Sequence, residues 1–251
     1  MRLTRIPAAI VAALMATLTF STAAGATDRS PTDEGPAAAS VQTAPGRGQE
    51  RIIGGGYADS GPWAARLFSG GRQTCTSTII SPTWVLTAKH CVSGGQLSFR
   101  IGSLDQTTGG TTANGTQVQT HPTADLALVR LDRSVQATYS PLGSPGSVSV
   151  GQTVQVYGWG ATSQCGSEIN CQSRLLKVAN VVVSGGCSDA YGGSAICARR
   201  GDGITAGGDS GGPMMAGGKQ VGVASTSDRQ TTTAYTNVTQ YRSWIQSVAG
   251  V

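Results

Sequence analysis

From Ile52 onward the chain alternates apolar and polar residues in short runs that end at Gly, Ser, Pro or Asn. Strand-length stretches are predicted over 75–80, ahead of Ser81-Pro82, over 84–88, over 97–101, ahead of Gly102, and over 126–131. Three more are predicted over 154–157, 175–183 and 220–224, the second closing at Ser184-Gly185-Gly186. Short strands at this spacing predict an all-β sandwich or barrel. No helical pattern alternates with them, which counts against an α/β arrangement. The exception is the C-terminus, where Val238, Tyr241, Trp244, Ile245 and Val248 recur at three- and four-residue intervals. They predict one apolar face of a helix, capped by Asn237 or Thr239 and docked on the body.

The start of the chain has a different texture. Arg2 and Arg5 precede an apolar stretch over 6–20, and Ala23, Ala24 and Ala26 follow, the order of a secretory signal peptide over 1–26. Residues 27–51 carry Pro31, Pro36, Pro45, mixed charges and almost no large apolar side chain. Such a segment lacks the surface to order itself and reads as a pro-segment or linker. Residues 52–251 remain, enough for one core domain or one built of two similar lobes. No later stretch is long and apolar enough for a membrane span, so the product is expected to be secreted, extracellular and free of the membrane after processing.

Charge adds little. The chain is +5 overall, and residues 52–251 keep +4 from 13 basic and 9 acidic residues. The excess is scattered, without a basic run, so nucleic acid is not an expected partner. The six cysteines all follow residue 51 and fit an oxidising compartment. Fifteen pairings are open, although the spacings 75/91, 165/171 and 187/197 fall into three local bridges: Cys75 with Cys91, Cys165 with Cys171, Cys187 with Cys197. Zinc is a poorer reading, because close cysteine doublets are absent and His90 and His121 are the only histidines. No metal or cofactor is expected.

Several motifs in one order carry the chemistry: Ile52-Ile53-Gly54-Gly55 after Arg51, Leu86-Thr87-Ala88-Lys89-His90-Cys91, Asp125-Leu126-Ala127-Leu128, Gly158-Trp159-Gly160, Gly208-Asp209-Ser210-Gly211-Gly212-Pro213 and Tyr235-Thr236-Asn237-Val238. Through them the chain resembles the chymotrypsin/trypsin family of serine proteases over essentially all of 52–251, of the bacterial secreted type and with a non-trypsin primary pocket. The resemblance implies two six-stranded antiparallel β-barrels with a C-terminal helix, an active site between the lobes, and polypeptide substrates cleaved through an acyl-enzyme.

A serine hydroxyl attacks only when a base takes its proton, and imidazole titrates near neutral pH, which suits His90 as base to Ser210. A carboxylate must hold the histidine tautomer, and Asp125 is the candidate. The order His, Asp, Ser matches this family and not the subtilisin-like or α/β-hydrolase orders. His121, in His121-Pro122, is the competing base and reads as a loop residue. By resemblance the N–H groups of Gly208 and Ser210 form an oxyanion hole, and Ser225 hydrogen-bonds the catalytic aspartate and begins the strand that receives the substrate backbone. Cleavage between Arg51 and Ile52 would free an amino terminus that pairs with Asp209.

The pocket departs from trypsin. The aspartate expected six residues before the nucleophile is Ile204, so a substrate arginine would lose water without a counter-charge. Ser227 and Thr233, both larger than glycine, should shorten the pocket and favour small or medium uncharged residues. An enzyme of that selectivity needs a separate arginine-specific protease to activate it. Ala206 stands where a bridging cysteine is common, which predicts a more mobile pocket rim, and Lys89 stands beside His90 in a place usually held by alanine. A monomer is expected. The alternative from another class is a catalytically inactive secreted homologue that acts as a binding protein.

Overall fold

The computed structural model describes residues 52–251; the expected leader at 1–26 and pro-segment at 27–51, with Arg51, lie outside the described residues. Six strands close the first barrel: β1 (Ala64–Ser69), β2 (Arg72–Ser81), β3 (Trp84–Thr87), β4 (Leu97–Ile101), β5 (Thr111–Thr120) and β6 (Ala127–Leu131). Around the ring they run β1-β2-β3-β6-β5-β4, every pair antiparallel. β4 shows why the alternation matters: Leu97, Phe99 and Ile101 are buried while Ser98 and Arg100 between them are not.

Six more strands form the second barrel: β7 (Thr153–Gly158), β8 (Lys177–Ser188), β9 (Ser194–Arg200), β10 (Pro213–Ala216), β11 (Lys219–Ser227) and β12 (Thr232–Asn237). Their ring order, β7-β8-β9-β12-β11-β10, repeats that of the first barrel. The two-lobe expectation and the barrel pair are therefore both met, and closure leaves neither sheet a free edge. Two short strands stand outside the barrels: Ile53–Gly54 pairs with Gly203–Ile204, and Gly56–Tyr57 pairs along β8.

β1, β5, β9, β10 and β12 were not visible in the pattern. β5 is the plainest case, since only Ala113 is buried along its ten residues and no alternation marks it. β8 runs past the expected stop at Ser184-Gly185-Gly186, because Gly185 adopts φ +146° and absorbs a bulge in the ladder to β9.

The C-terminal helix is α1 (Arg242–Ala249), later than expected. Asn237 caps the 3-10 turn Val238–Gln240 that precedes it, accepting from the Thr239 N–H at 3.2 Å, and Gly250 ends the helix in the left-handed conformation. Val238 and Ile245 are fully buried and join the core of the first barrel. The end of the chain thus leaves the second barrel and packs on the first.

Candidate functional site

His90 lies in the 3-10 turn Lys89–Cys91 that follows β3, and the Cys75–Cys91 disulfide fixes the next residue to β2. Asp125 sits just before β6, fully buried. Its Oδ2 is 2.7 Å from His90 Nδ1 and its Oδ1 accepts from the His90 backbone N–H at 3.0 Å, so the carboxylate grips both ring and main chain. Ser225 Oγ donates to Asp125 Oδ2 at 2.7 Å. Ser225 falls in a bulge of β11 between Ala224 and Thr226, the irregularity that aims its hydroxyl out of the ladder. Burial alone would raise the Asp125 carboxyl, but the hydrogen bonds from His90 and Ser225 outweigh it and hold the group below its ordinary value.

Sequence reasoning missed Asp189. Its buried Oδ2 accepts from the Asp125 N–H and from Thr236 Oγ1, both at 2.9 Å, while Oδ1 takes the N–H groups of Tyr191 and Gly193. An aspartate four residues before glycine in a short disulfide loop is an Asx-turn signal, but its reach to residue 125 is not readable along the chain.

His121 is not brought to Asp125. Its ring packs edge-on against Tyr241 and Trp244, at centroid distances of 4.7 and 5.2 Å, and burial with the nearby Lys89 charge pushes its imidazole down. The Lys89 ammonium donates to the carbonyls of His121 and Pro122 and lies 4.6 Å from the Tyr191 ring centroid, so it is anchored on that loop.

Ser210 occupies the turn before β10. Its carbonyl accepts from Thr76 N at 2.8 Å on the first barrel, and Gly211 N donates to Ala224 O at 2.9 Å. Gly211, at φ +79°, has no room for a Cβ against Thr87 and the Thr76 carbonyl. His90 and Ser210 line the same cleft, of about 410 Å³, without a direct hydrogen bond between them. Among the described residues the N–H groups of Gly208 and Ser210 donate to no protein acceptor.

The cleft is also lined by Thr205, Ser225, Ser227, Thr233 and Arg229. Thr205 and Thr233 hydroxyls meet at 2.7 Å, and Ser227 Oγ donates to the Thr205 carbonyl at 2.8 Å. Ile204 corrects the sequence reading: it is fully buried in the short ladder opposite Ile53 and does not line the cleft, where Thr205 stands instead. Arg229 was not foreseen.

Asp209 points away from the cleft. Fully buried, it accepts from Gly160 N at 2.7 Å and Ala206 N at 2.9 Å, and burial pushes its carboxyl up to about 6. Gly158 and Gly160 are required there, since a Cβ on either would overlap the carboxylate. Ile52 is buried in the second barrel's core. All three disulfides suggested by spacing are formed, and no described cysteine is free. Cys75, His90 and Cys91 cluster closely enough to suggest an ion, but the disulfide leaves no thiolate to ligate one.

A family model described as Trypsin matches residues 52–245. Trypsin alpha of Drosophila melanogaster is 32% identical over 232 residues, covering 79% of this chain and 88% of its own. The solved structure of neuropsin, a serine protease expressed in the limbic system of mouse brain, aligns with a TM-score of 0.64 at 26% identity, over 75% of this chain and 94% of that one. A scabies mite inactivated protease paralogue aligns with a TM-score of 0.68 at 24% identity, over 79% and 97%, and speaks for the fold alone. These relatives are animal proteins and lend no support to a bacterial secreted type.

Proposed function

Because the chain belongs to the trypsin family of serine endopeptidases, hydrolases that act on polypeptides, we propose that Ser210 attacks the scissile carbonyl, with His90 as its base and Asp125 as the carboxylate that orients the imidazole. The observation that carries the reading is the His90–Asp125–Ser225 network opening on the cleft that also holds Ser210 and two unpartnered N–H groups. His90 Nδ1 is committed to Asp125, which leaves Nε2 for the serine proton. A contact between Ser210 and His90 that is open in the free protein tightens when substrate fills the cleft. The tetrahedral oxyanion then meets the N–H groups of Gly208 and Ser210; loss of one such donor costs about 3 kcal/mol of transition-state stabilisation. The proton on His90 passes to the leaving amine, and water repeats the sequence on the acyl-enzyme.

The pocket favours small or medium uncharged residues before the scissile bond, elastase-like or chymotrypsin-like rather than trypsin-like. The Thr205–Thr233 pair and Ser227 narrow it, and no acidic side chain is among its lining residues to meet a substrate arginine or lysine. The working enzyme is residues 52–251, monomeric and secreted after loss of 1–26 and 27–51. A separate arginine-specific protease cuts Arg51–Ile52, and the freed ammonium pairs with Asp209. Among the described residues no helix is long and apolar enough to cross a membrane.

A serine-directed phosphonate and a peptide panel varied only before the scissile bond test this reading of the processed protein. Stoichiometric labelling at Ser210 and fastest cleavage after Ala, Val or Leu are expected. No label and no cleavage would leave the inactive binding homologue standing. Dominant cleavage after Arg or Lys would sink the pocket assignment alone.

A further inference from the structure

The loop closed by Cys165–Cys171 has no part in the chemistry above, yet Glu168 within it and Gln172 immediately after it reach the oxyanion turn. Glu168 Oε2 accepts from the Gly207 N–H at 2.9 Å, and its Oε1 takes Arg229 Nε at 2.5 Å on the facing wall of the cleft. Gln172 Oε1 accepts from Arg66 Nη2, and its Nε2 makes a long contact of 3.5 Å with the Gly207 carbonyl. The amide can be oriented only this way, since guanidinium is a pure donor and the carbonyl a pure acceptor.

Arg66 completes the arrangement from β1 in the first barrel. It is fully buried, and it donates to Gly208 O at 3.1 Å, Cys75 O at 3.2 Å and Gln106 Oε1 at 2.9 Å as well as to Gln172. Burial pushes its guanidinium down to about 9, with Asp209 opposing, so it stays charged at neutral pH. Three successive peptide units of the turn are thus held. Gly207 N is taken by Glu168. Gly207 O is taken by Ala161 N at 2.8 Å and touched by Gln172. Gly208 O is taken by Arg66 and, at 2.9 Å, by Thr76 Oγ1.

A trans peptide carries its C=O and N–H on opposite sides. Fixing Gly207 O toward Ala161 and Gln172 therefore turns the Gly208 N–H the other way, where no protein acceptor meets it. The approach is close enough to require glycine: a Cβ on Gly207 would collide with Glu168 and one on Gly208 with Gln172.

We propose that the Cys165–Cys171 loop is the positioning device of the oxyanion turn, Glu168 and Gln172 acting with Arg66 and Arg229 as a noncovalent clasp in place of the rim disulfide that Ala206 precludes. This rests on the reading of Ser210 as nucleophile. Glu168 joins the two walls of the cleft, at Gly207 and Arg229, while Gln172 and Arg66 tie the same turn to the first barrel. Gln172 and Glu168 touch no reacting atom; they act through the Gly208 N–H.

The test uses the processed enzyme with Gln172→Met, Glu168→Ala and the double substitution Cys165→Ser/Cys171→Ser. Each is assayed for kcat and KM and for inhibition by a peptide trifluoromethyl ketone and the matching peptide alcohol, which forms no oxyanion. Gln172→Met is expected to lower kcat about 10- to 100-fold with KM within about threefold. Affinity for the ketone should fall in parallel while that for the alcohol holds, and the other two variants should move the same way. If Gln172→Met does not fold, the other two, altered at the partly exposed loop, carry the test. Equal losses on ketone and alcohol, or kcat and ketone affinity within about twofold of wild type, overturn the clasp. A processed wild type that neither cleaves nor labels overturns the nucleophile reading and the clasp with it; an active wild type with unaffected variants overturns the clasp alone.

Discussion

Asp125 shows how much one buried carboxylate can organise. It receives His90 twice and Ser225 once, and its own N–H is spent on Asp189. Because its carboxyl is held below the ordinary value, its contribution to stability is full above that value and is lost as pH falls through the lowered one. Ser225→Ala removes one of the donors responsible. In a Ser210→Ala background, where self-digestion cannot interfere, urea unfolding at neutral pH should show a loss of about 1 to 2 kcal/mol. The difference should narrow as the pH is taken below the carboxylate range, and a constant difference would count against this account. His90, Asp125, Ser210 and Ser225 could be singled out in the sequence because each sits in or beside a short run that resembles a family motif. Asp189 and Arg229 could not, since Asp189 acts across 64 residues on Asp125 and Arg229 across 61 on Glu168. Ile204 differs because counting back from Ser210 fixes only a sequence position, and the fold pairs that residue with Ile53, outside the residues that line the cleft.

Among the elements, those with clean alternation could be read and those with mixed surroundings could not. β4 matched its predicted span, while the largely exposed β5 left no period to detect. The helix was anticipated from its apolar face, but its role depends on where that face lands. Ile245 is fully buried against the first barrel, and Trp244 and the preceding Tyr241 flank His121, four residues from Asp125. α1 therefore straps the loop that carries the proposed orienting carboxylate. Ile245→Ala should cost about 2 to 4 kcal/mol, seen as a lower Tm in thermal unfolding of the Ser210→Ala protein. A change of a few tenths would mean the helix rests on the barrel without supporting it.

At the scale of the molecule, the proposed activation pairing makes Asp209 a link between processing and stability. Burial raises its carboxyl to about 6 against the opposing charges of Arg66 and Lys177, so folding favours the neutral form relative to the unfolded chain. A raised carboxyl contributes stability that is complete below its ordinary value of 3.8 and is lost as pH rises through about 6. Relative to Asp209→Asn, the uncleaved Ser210→Ala chain should lose roughly 3 kcal/mol of unfolding free energy between acid and neutral pH. After an added arginine-specific protease has cut Arg51–Ile52, the new ammonium supplies the counter-charge and most of that loss should vanish. Urea unfolding at both pH values, before and after cutting, decides it; the same pH dependence in both forms would remove Asp209 from activation. The paired barrels themselves were legible only through the motifs, because closure depends on pairings between strands that periodicity never relates to one another.

The two barrels share one strand order but divide the work unequally. His90 and Asp125 come from the first; Ser210, Ser225 and the lining residues Thr205, Ser227, Thr233 and Arg229 come from the second. In the proposed mechanism, proton handling and side-chain selection therefore come from separate halves of the chain, joined at Asp125 by its hydrogen bonds with Ser225, Asp189 and Thr236. Evolution can redraw the diet of such a protein by editing the half that also carries Ser210 and leave the proton-handling pair, held in the other, untouched.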